Sequence, residues 1–216
     1  SFLEMNAGST MERVYLDLKA RILSGAYPPG TRLEPVHLAK SLASSATPVR
    51  DALYRLSGER IIESWHQEGF RQPLLNEADL VDLYGWAGAL LAMALKGRSP
   101  RPDLPGGLID LATHDSYPAA IESLFRTIAI GSANGELRAA IVNIVERSMT
   151  IRTLEVRVDG TAAHALTAMA DDYRFGRWSA LRSKITRFHR RRVHYAGRVA
   201  AEIRQRSEPL ENIRRI

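Results

Sequence analysis

The chain has 216 residues, 45% of them hydrophobic and 25% charged, which excludes a disordered chain and leaves room for a sizeable packed core. No apolar run approaches the roughly 18 residues of a membrane helix, and no basic-flanked apolar leader opens the sequence, so a cytoplasmic protein with no membrane partner is expected. The absence of cysteine excludes disulfides and thiolate metal sites, while a net charge of +6 favours polyanionic partners.

The first ten residues carry little pattern and are set aside as a scar ahead of a native Met5. From Met11 to Ser24, Val14, Leu18 and Ile22 recur at helical spacing among charges, which predicts a helix. Gly25 and then Pro28-Pro29-Gly30 stop it. Pro35 suits the first turn of a short second helix, 35–43, with Val36, Leu38, Ala39 and Leu42 as its apolar side. Thr47-Pro48 starts a third: Thr47 as cap, Pro48 at the first helical position, Gly58 as stop. At 100° per residue Val49, Ala52, Leu53 and Leu56 share one face, and Thr47, Arg50, Asp51 and Tyr54 lie opposite. "RIIESW" and "FRQPL" then read as two short strands with Gly69 in the turn between them. Three helices and a β-hairpin make a winged helix-turn-helix, residues 11–75.

After the linker "PLLNEAD", capped by Asn76 or Asp79, only helices are expected: 77–95, a short one near 107–113, then 118–131, 134–157, 160–173 and 176–206, with Pro209 just past the last. The fold class is therefore mainly α: a small winged head, then an all-α bundle over 77–206. Charge is uneven along it. Eleven Lys or Arg face the single acid Glu202 between Arg174 and Arg206, whereas residues 11–75 hold nine basic and seven acidic side chains. The triplet 190–192 wraps around its helix and cannot form one stripe. Trp65, Trp86 and Trp178 are expected as core or interface anchors.

The ordered signals "I-x-x-G-x-x-P-P-G-x-x-L", "L-A", "T-P-V-R-x-A-L-x-x-L" and a closing "G-F" cover most of residues 11–71, and this set resembles the head of GntR-family transcription regulators. "ESLFRTIAIGSANGELR" is similar to a motif of the all-helical effector domain, called FCD, of that family's FadR-like branch. The resemblance implies a cytoplasmic, homodimeric repressor that binds a double-stranded DNA operator and answers to a small organic acid, a carboxylate. It implies Arg50, Thr47, Tyr54, Ser45 and Gly69 as DNA-binding residues. An arginine fork can take O6 and N7 of a guanine, and helix N-terminal N–H groups can hold a phosphate. Many relatives carry Arg where Ala46 stands and a polar group near Val36, so altered operator specificity is expected.

In the body, the family's metal ligands are an Asp and three His. Here Glu122 stands at the Asp position and Arg126, which has no lone pair to give, at the first His position. Glu122, His164 and His189 could still hold a divalent zinc, nickel or manganese ion with an open site. The alternative is substitution. Arg126, four residues after Glu122, supplies the positive charge itself and grips an effector carboxylate, with Glu122, His164 and His189 lining the pocket. Either His can equally be a satisfied core residue. Two other functions stand beside the regulator: a degenerate sensor or interaction module without specific DNA binding, and a metal hydrolase on Glu122, His164 and His189. No nucleophile motif accompanies the latter, so no enzyme is expected.

Overall fold

The computed structural model describes the backbone of residues 2–65, 69–96 and 116–213, and the side chains of 8–65, 69–96 and 116–207. It is mainly helical and divides into two compact units, Leu75–Glu202 and the remainder.

The head contains α1 (Phe2–Leu23), β1 (Arg32–Leu33), α2 (Pro35–Ser41), α3 (Ala46–Gly58), β2 (Glu63–Trp65) and β3 (Gly69–Arg71). The helix expected from Met11 begins at Phe2, so the stretch set aside as a scar is helical backbone. Val14 and Leu18 of α1, Leu42 after α2, and Val49, Leu53 and Leu56 of α3 bury their side chains in one core with Leu33 and Phe70. The apolar spacing of each helix thus becomes its inward face.

All three helices end in the same way. After α1, Gly25 takes φ 79°, and the next N–H, of Ala26, returns to the Arg21 carbonyl at 3.1 Å. After α2 the left-handed residue is Ala43 (φ 46°), with Ser44 N–H on Ala39 O at 3.0 Å. After α3 it is Arg60 (φ 60°), with Ile61 N–H on Leu56 O at 3.0 Å. These are Schellman ends, which satisfy carbonyls the helix leaves open. Gly58 was expected to stop α3, yet it is the last helical residue and an arginine makes the reversal. Burying Ile61 beside Leu56 offsets the cost of left-handed backbone at Arg60.

The helix-turn-helix corner is held from α1. Arg13 donates to the carbonyls of Leu42 and Ala43 at 3.1 and 3.2 Å, and Arg21 to Ser41 O at 3.0 Å. Two cations therefore sit at the negative end of α2. The three strands form an antiparallel sheet in the order β1-β3-β2. β1 was unanticipated: two residues after a Pro-Pro-Gly stop show no alternation to read. It forms because pairing with β3 sets Leu33 opposite Phe70, both buried. Gly69, expected in the turn, is the first residue of β3 opposite Trp65, with φ 84°.

The second unit is built from α4 (Glu77–Ala94), α5 (Tyr117–Ile130), α6 (Gly135–Val158), α7 (Ala162–Arg174) and the body part of α8 (Trp178–Ile213). Asn76 and Asp79 cap α4 reciprocally: Asp79 N–H donates to Asn76 Oδ1 at 3.0 Å, and Asn76 N–H to Asp79 Oδ2 at 2.9 Å. α8 continues through Pro209, where few helical bonds remain to be lost before its own end. The short helix expected near 107–113 lies outside the described residues.

Candidate nucleic-acid interface and candidate effector site

α3 begins at Ala46, one residue before the expected cap. Ser45, not Thr47, holds the cap position (φ −84°, ψ 168°), and its side chain makes no cap hydrogen bond. The tight end of α2 brings the chain to Ser45 already extended, so helical geometry starts early. Pro48 still falls within the first turn, where no N–H partner exists to be lost.

Ser45, Thr47, Arg50, Asp51 and Tyr54 are all exposed, and Val49, Ala52, Leu53 and Leu56 are buried. Arg50 forms no ion pair among the described residues; Glu34 pairs with Arg32 at 3.3 Å. Tyr54 stands 60% exposed with its ring edge-on to Phe70 at 4.9 Å, which fixes its direction while leaving the hydroxyl outside. Val36 on α2 is also 60% exposed, an apolar group on the surface. Arg71 reaches Glu63 across the hairpin at 2.7 Å and lies over the exposed Trp65 ring at 4.1 Å.

In the body, Arg126 does meet Glu122, Nε to Oε1 at 2.7 Å. It also meets Glu146 of α6 at 3.2 Å. Two carboxylates thus hold one guanidinium. His164 is exposed on α7, because the buried stripe there is Ala162, Leu166, Met169 and Ala170, and His164 lies two residues, about 200°, off its start. The reading of His164 as a satisfied core residue is therefore corrected. Among the described residues no three His, Asp or Glu are grouped as a metal would need, so Glu122, His164 and His189 do not assemble.

His189 does point inward, beside Leu181, Ile185 and Phe188. Nδ1 donates to Ile185 O at 2.9 Å, and Nε2 has no partner among the described residues. Burial, with the charges of Arg152 and Arg192 nearby, lowers its pKa to about 3, so the ring is neutral at physiological pH.

Around it lies a polar cluster that sequence reasoning missed. Arg152 and Glu155 of α6 are 1% and 0% exposed and pair at 2.9 Å. Tyr117 donates to Glu155 at 3.0 Å; burial and that carboxylate push the phenol far above its usual range. Tyr84 is fully buried close to the Glu155 carboxylate, and among the described residues its hydroxyl makes no hydrogen bond of good geometry. Arg192, 1% exposed, lies over Phe188 at 4.4 Å and donates to Asp159 at 2.9 Å, but its Nε is unpartnered. Asp159 also accepts from Arg191 at 2.7 Å and Thr161 at 2.7 Å. Although burial acts to raise it, these donors and the Arg192 charge hold its carboxyl well below the usual carboxylate range. One signal was available: Ser148, Arg152 and Glu155 continue the helical spacing of Ile141, Ile144, Val145 and Ile151, so charges occupy core positions.

Residues 10–71 match the family of bacterial regulatory proteins called gntR. An uncharacterized HTH-type transcriptional regulator of Bacillus subtilis (strain 168), YdhC, is 31% identical over 70 residues. That stretch is 32% of this chain and 31% of the relative, so the match spans under a third of the relative's length. A Rhodococcus sp. RHA1 protein assigned to the GntR regulators shares the fold with a TM-score of 0.70, 19% identity, and coverage of 90% of this chain and 97% of that one. E. coli McbR/YncC does so with a TM-score of 0.58, 18% identity, and coverage of 87% and 96%. The two-part helical architecture is thus that of GntR regulator structures. No described helix is long and apolar enough to cross a membrane.

Proposed function

We propose that this chain, a GntR-family helix-turn-helix protein by its head, is a cytoplasmic repressor whose helical body binds a small anionic effector. The observation that carries the DNA half is the outer face of α3. Thr47, Arg50 and Tyr54 stand together in solvent, and Arg50 pairs with no acid among the described residues. A cation on a major-groove helix reads a base edge, while Ser45, Thr47 and the helix N-terminus hold phosphate and Gly69 serves the wing. Binding as a homodimer would match two half-sites of a palindromic operator.

The test is fluorescence anisotropy with operator DNA selected from random sequence. Arg50→Ala is expected to lose about 1–3 kcal/mol of discrimination against the wrong base and to keep weak, salt-dependent binding. Unchanged operator affinity would remove Arg50 as the base reader. A wild-type chain that selects no sequence would favour the interaction module instead.

For the effector, three unpartnered polar atoms support the body's buried cluster: Tyr84 Oη, Arg192 Nε and His189 Nε2. Two are donors beside a neutral imidazole nitrogen that can accept a hydrogen bond, a set that suits a carboxyl group. We read the body as the FCD-type domain of the FadR-like branch, with this cluster rather than Arg126 at its effector site. Arg126 is already neutralised by Glu122 and Glu146. Tyr84→Phe is the sharp variant, because it deletes a single hydroxyl and keeps the buried ring. Short mono- and dicarboxylates are expected to raise the melting temperature of the wild type and to do so less in Tyr84→Phe. An equal response in both would place the effector elsewhere.

A further inference from the structure

The cations in the first half of α8 fall into two groups. Lys184 pairs with Asp172 at 2.7 Å, and Arg191 and Arg192 both reach Asp159. Arg182, Arg187 and Arg190 are exposed instead, and no guanidinium of the three forms an ion pair or hydrogen bond among the described residues. These three converge on one open groove of about 410 Å³, which they line with Ser179, Ser183 and Thr186 of the same helix and Ala92 of α4. Among the described residues no carboxylate borders it: α8 has no acid before Glu202, and α4 has none after Asp82. Arg187 and Arg190 stand about one turn apart, where like charges destabilise a helix. An anion between them removes that cost.

The order along the helix defines the anion further. Arg182 stands at one end and Arg187 and Arg190 at the other, with the hydroxyls of Ser183 and Thr186 between them. Arg182 and Arg190 are eight residues apart, about 12 Å along the axis. Thr186 donates its proton to Arg182 O at 3.0 Å, so its oxygen is left to accept. Ser183 makes no hydrogen bond among the described residues and can donate or accept.

We infer that this groove binds a small hydroxylated compound with a phosphoryl group at each end, a sugar bisphosphate in chemical class. Guanidinium forks match phosphoryl oxygens bidentately, and the hydroxyls between them match a polyol. The volume falls within the roughly 300–1,000 Å³ of small-ligand sites. A nucleobase needs an aromatic face to stack on, and Ala92 is the one apolar side chain among the groove's described residues. The groove is separate from the buried cluster: its arginines are exposed, whereas Arg152, Glu155 and Arg192 are inside. It does not depend on what that cluster binds.

Isothermal titration calorimetry of the full chain with fructose 1,6-bisphosphate and glucose 1,6-bisphosphate tests this. One saturable site is expected, at least about tenfold tighter for a bisphosphate than for fructose 6-phosphate. Arg187→Ala with Arg190→Ala should weaken it about tenfold or more, and Arg182→Ala should erase the preference for the second phosphoryl group. Arg204→Ala removes an exposed cation elsewhere on α8 and should bind as the wild type does. Tyr84→Phe should do the same, which separates this groove from the buried cluster. The arginine variants change exposed side chains only, so the helical spectrum should stay as it is. No saturable heat with either bisphosphate, equal affinity for the monophosphate, or full binding by the double variant would each overturn the assignment. If the double variant instead loses binding to duplex DNA or to phosphatidylglycerol vesicles, the occupant is a polyanionic surface and the assignment falls.

Discussion

The head and the body handle charge in opposite ways. In the head, the polar groups of α3 stand outside, around an apolar core, and Arg50 forms no ion pair among the described residues. In the body, Arg152, Glu155, Asp159, Arg192 and His189 are inside, each 3% exposed or less. The physical consequence differs. An exposed cation costs little to keep and serves a large polyanion whose phosphates arrive already solvated. A buried ion pair carries a desolvation cost and is weak support for stability, so a ligand that completes its hydrogen bonds can alter the balance. The head thus keeps its charges available to a partner surface, and the body commits its charges to one another.

The largest test of that contrast lies in the body. Glu155→Ala leaves Arg152 charged and uncompensated, and an unfolding free energy lower by about 3–5 kcal/mol is expected in urea titration. Arg152→Met together with Glu155→Leu should recover most of it. If the single change is as mild as the double, the buried pair is not as isolated from water as its exposure indicates.

Glycines give a second test. A Cβ at Gly88 would lie 2.9 Å from His189 Cβ, so Gly88→Ala should destabilise the body by about 1–3 kcal/mol as α4 and α8 are forced apart. In the head, Gly58 has nothing within 4 Å of such a Cβ, and Gly58→Ala should gain up to about 1 kcal/mol through the unfolded chain. Thermal melts of the two variants should therefore move in opposite directions.

His189 makes the body sensitive to acid. Its folded pKa, about 3, lies below the ordinary 6.5, so between those values the unfolded chain binds a proton that the folded one refuses. Stability is full above pH 6.5 and falls as pH drops toward 3, by up to about 1.4 kcal/mol per pH unit. Asp159 adds acid lability only below its ordinary 3.8. His189→Gln should flatten the slope between pH 6.5 and 4; an unchanged slope would assign it to another group. The smallest effect is expected in the head. Arg50→Ala should change stability by less than about 0.5 kcal/mol while it changes DNA binding, since it breaks no internal contact.

Much of the head was legible from local patterns. The apolar spacing of Val49, Ala52, Leu53 and Leu56 named the buried face of α3 and so the exposed face opposite. Helix starts were less secure, because Ser45 rather than Thr47 holds the cap position of α3 once the α2 end sets the entering direction. The capping pair Asn76 and Asp79 was visible, since both partners sit three residues apart. The buried polar cluster of the body was not. Of its members only His189 was singled out, and Arg126 and His164 drew attention through a family pattern that the packing does not reproduce.

The sequence by itself determined where helices form, which faces turn inward and which side of α3 meets solvent. These follow from periodicity and from Gly, Pro and capping residues, all short-range signals. Only tertiary structure decided the fate of the charges. Arg190, Arg191 and Arg192 are neighbours, yet Arg190 is exposed, Arg191 pairs with Asp159 from the surface and Arg192 reaches the same carboxylate from within. Asp159 lies 33 residues before Arg192 in the chain. No local pattern encodes that distance; it is set by how α6 and α8 pack, and packing decides which charge keeps its water.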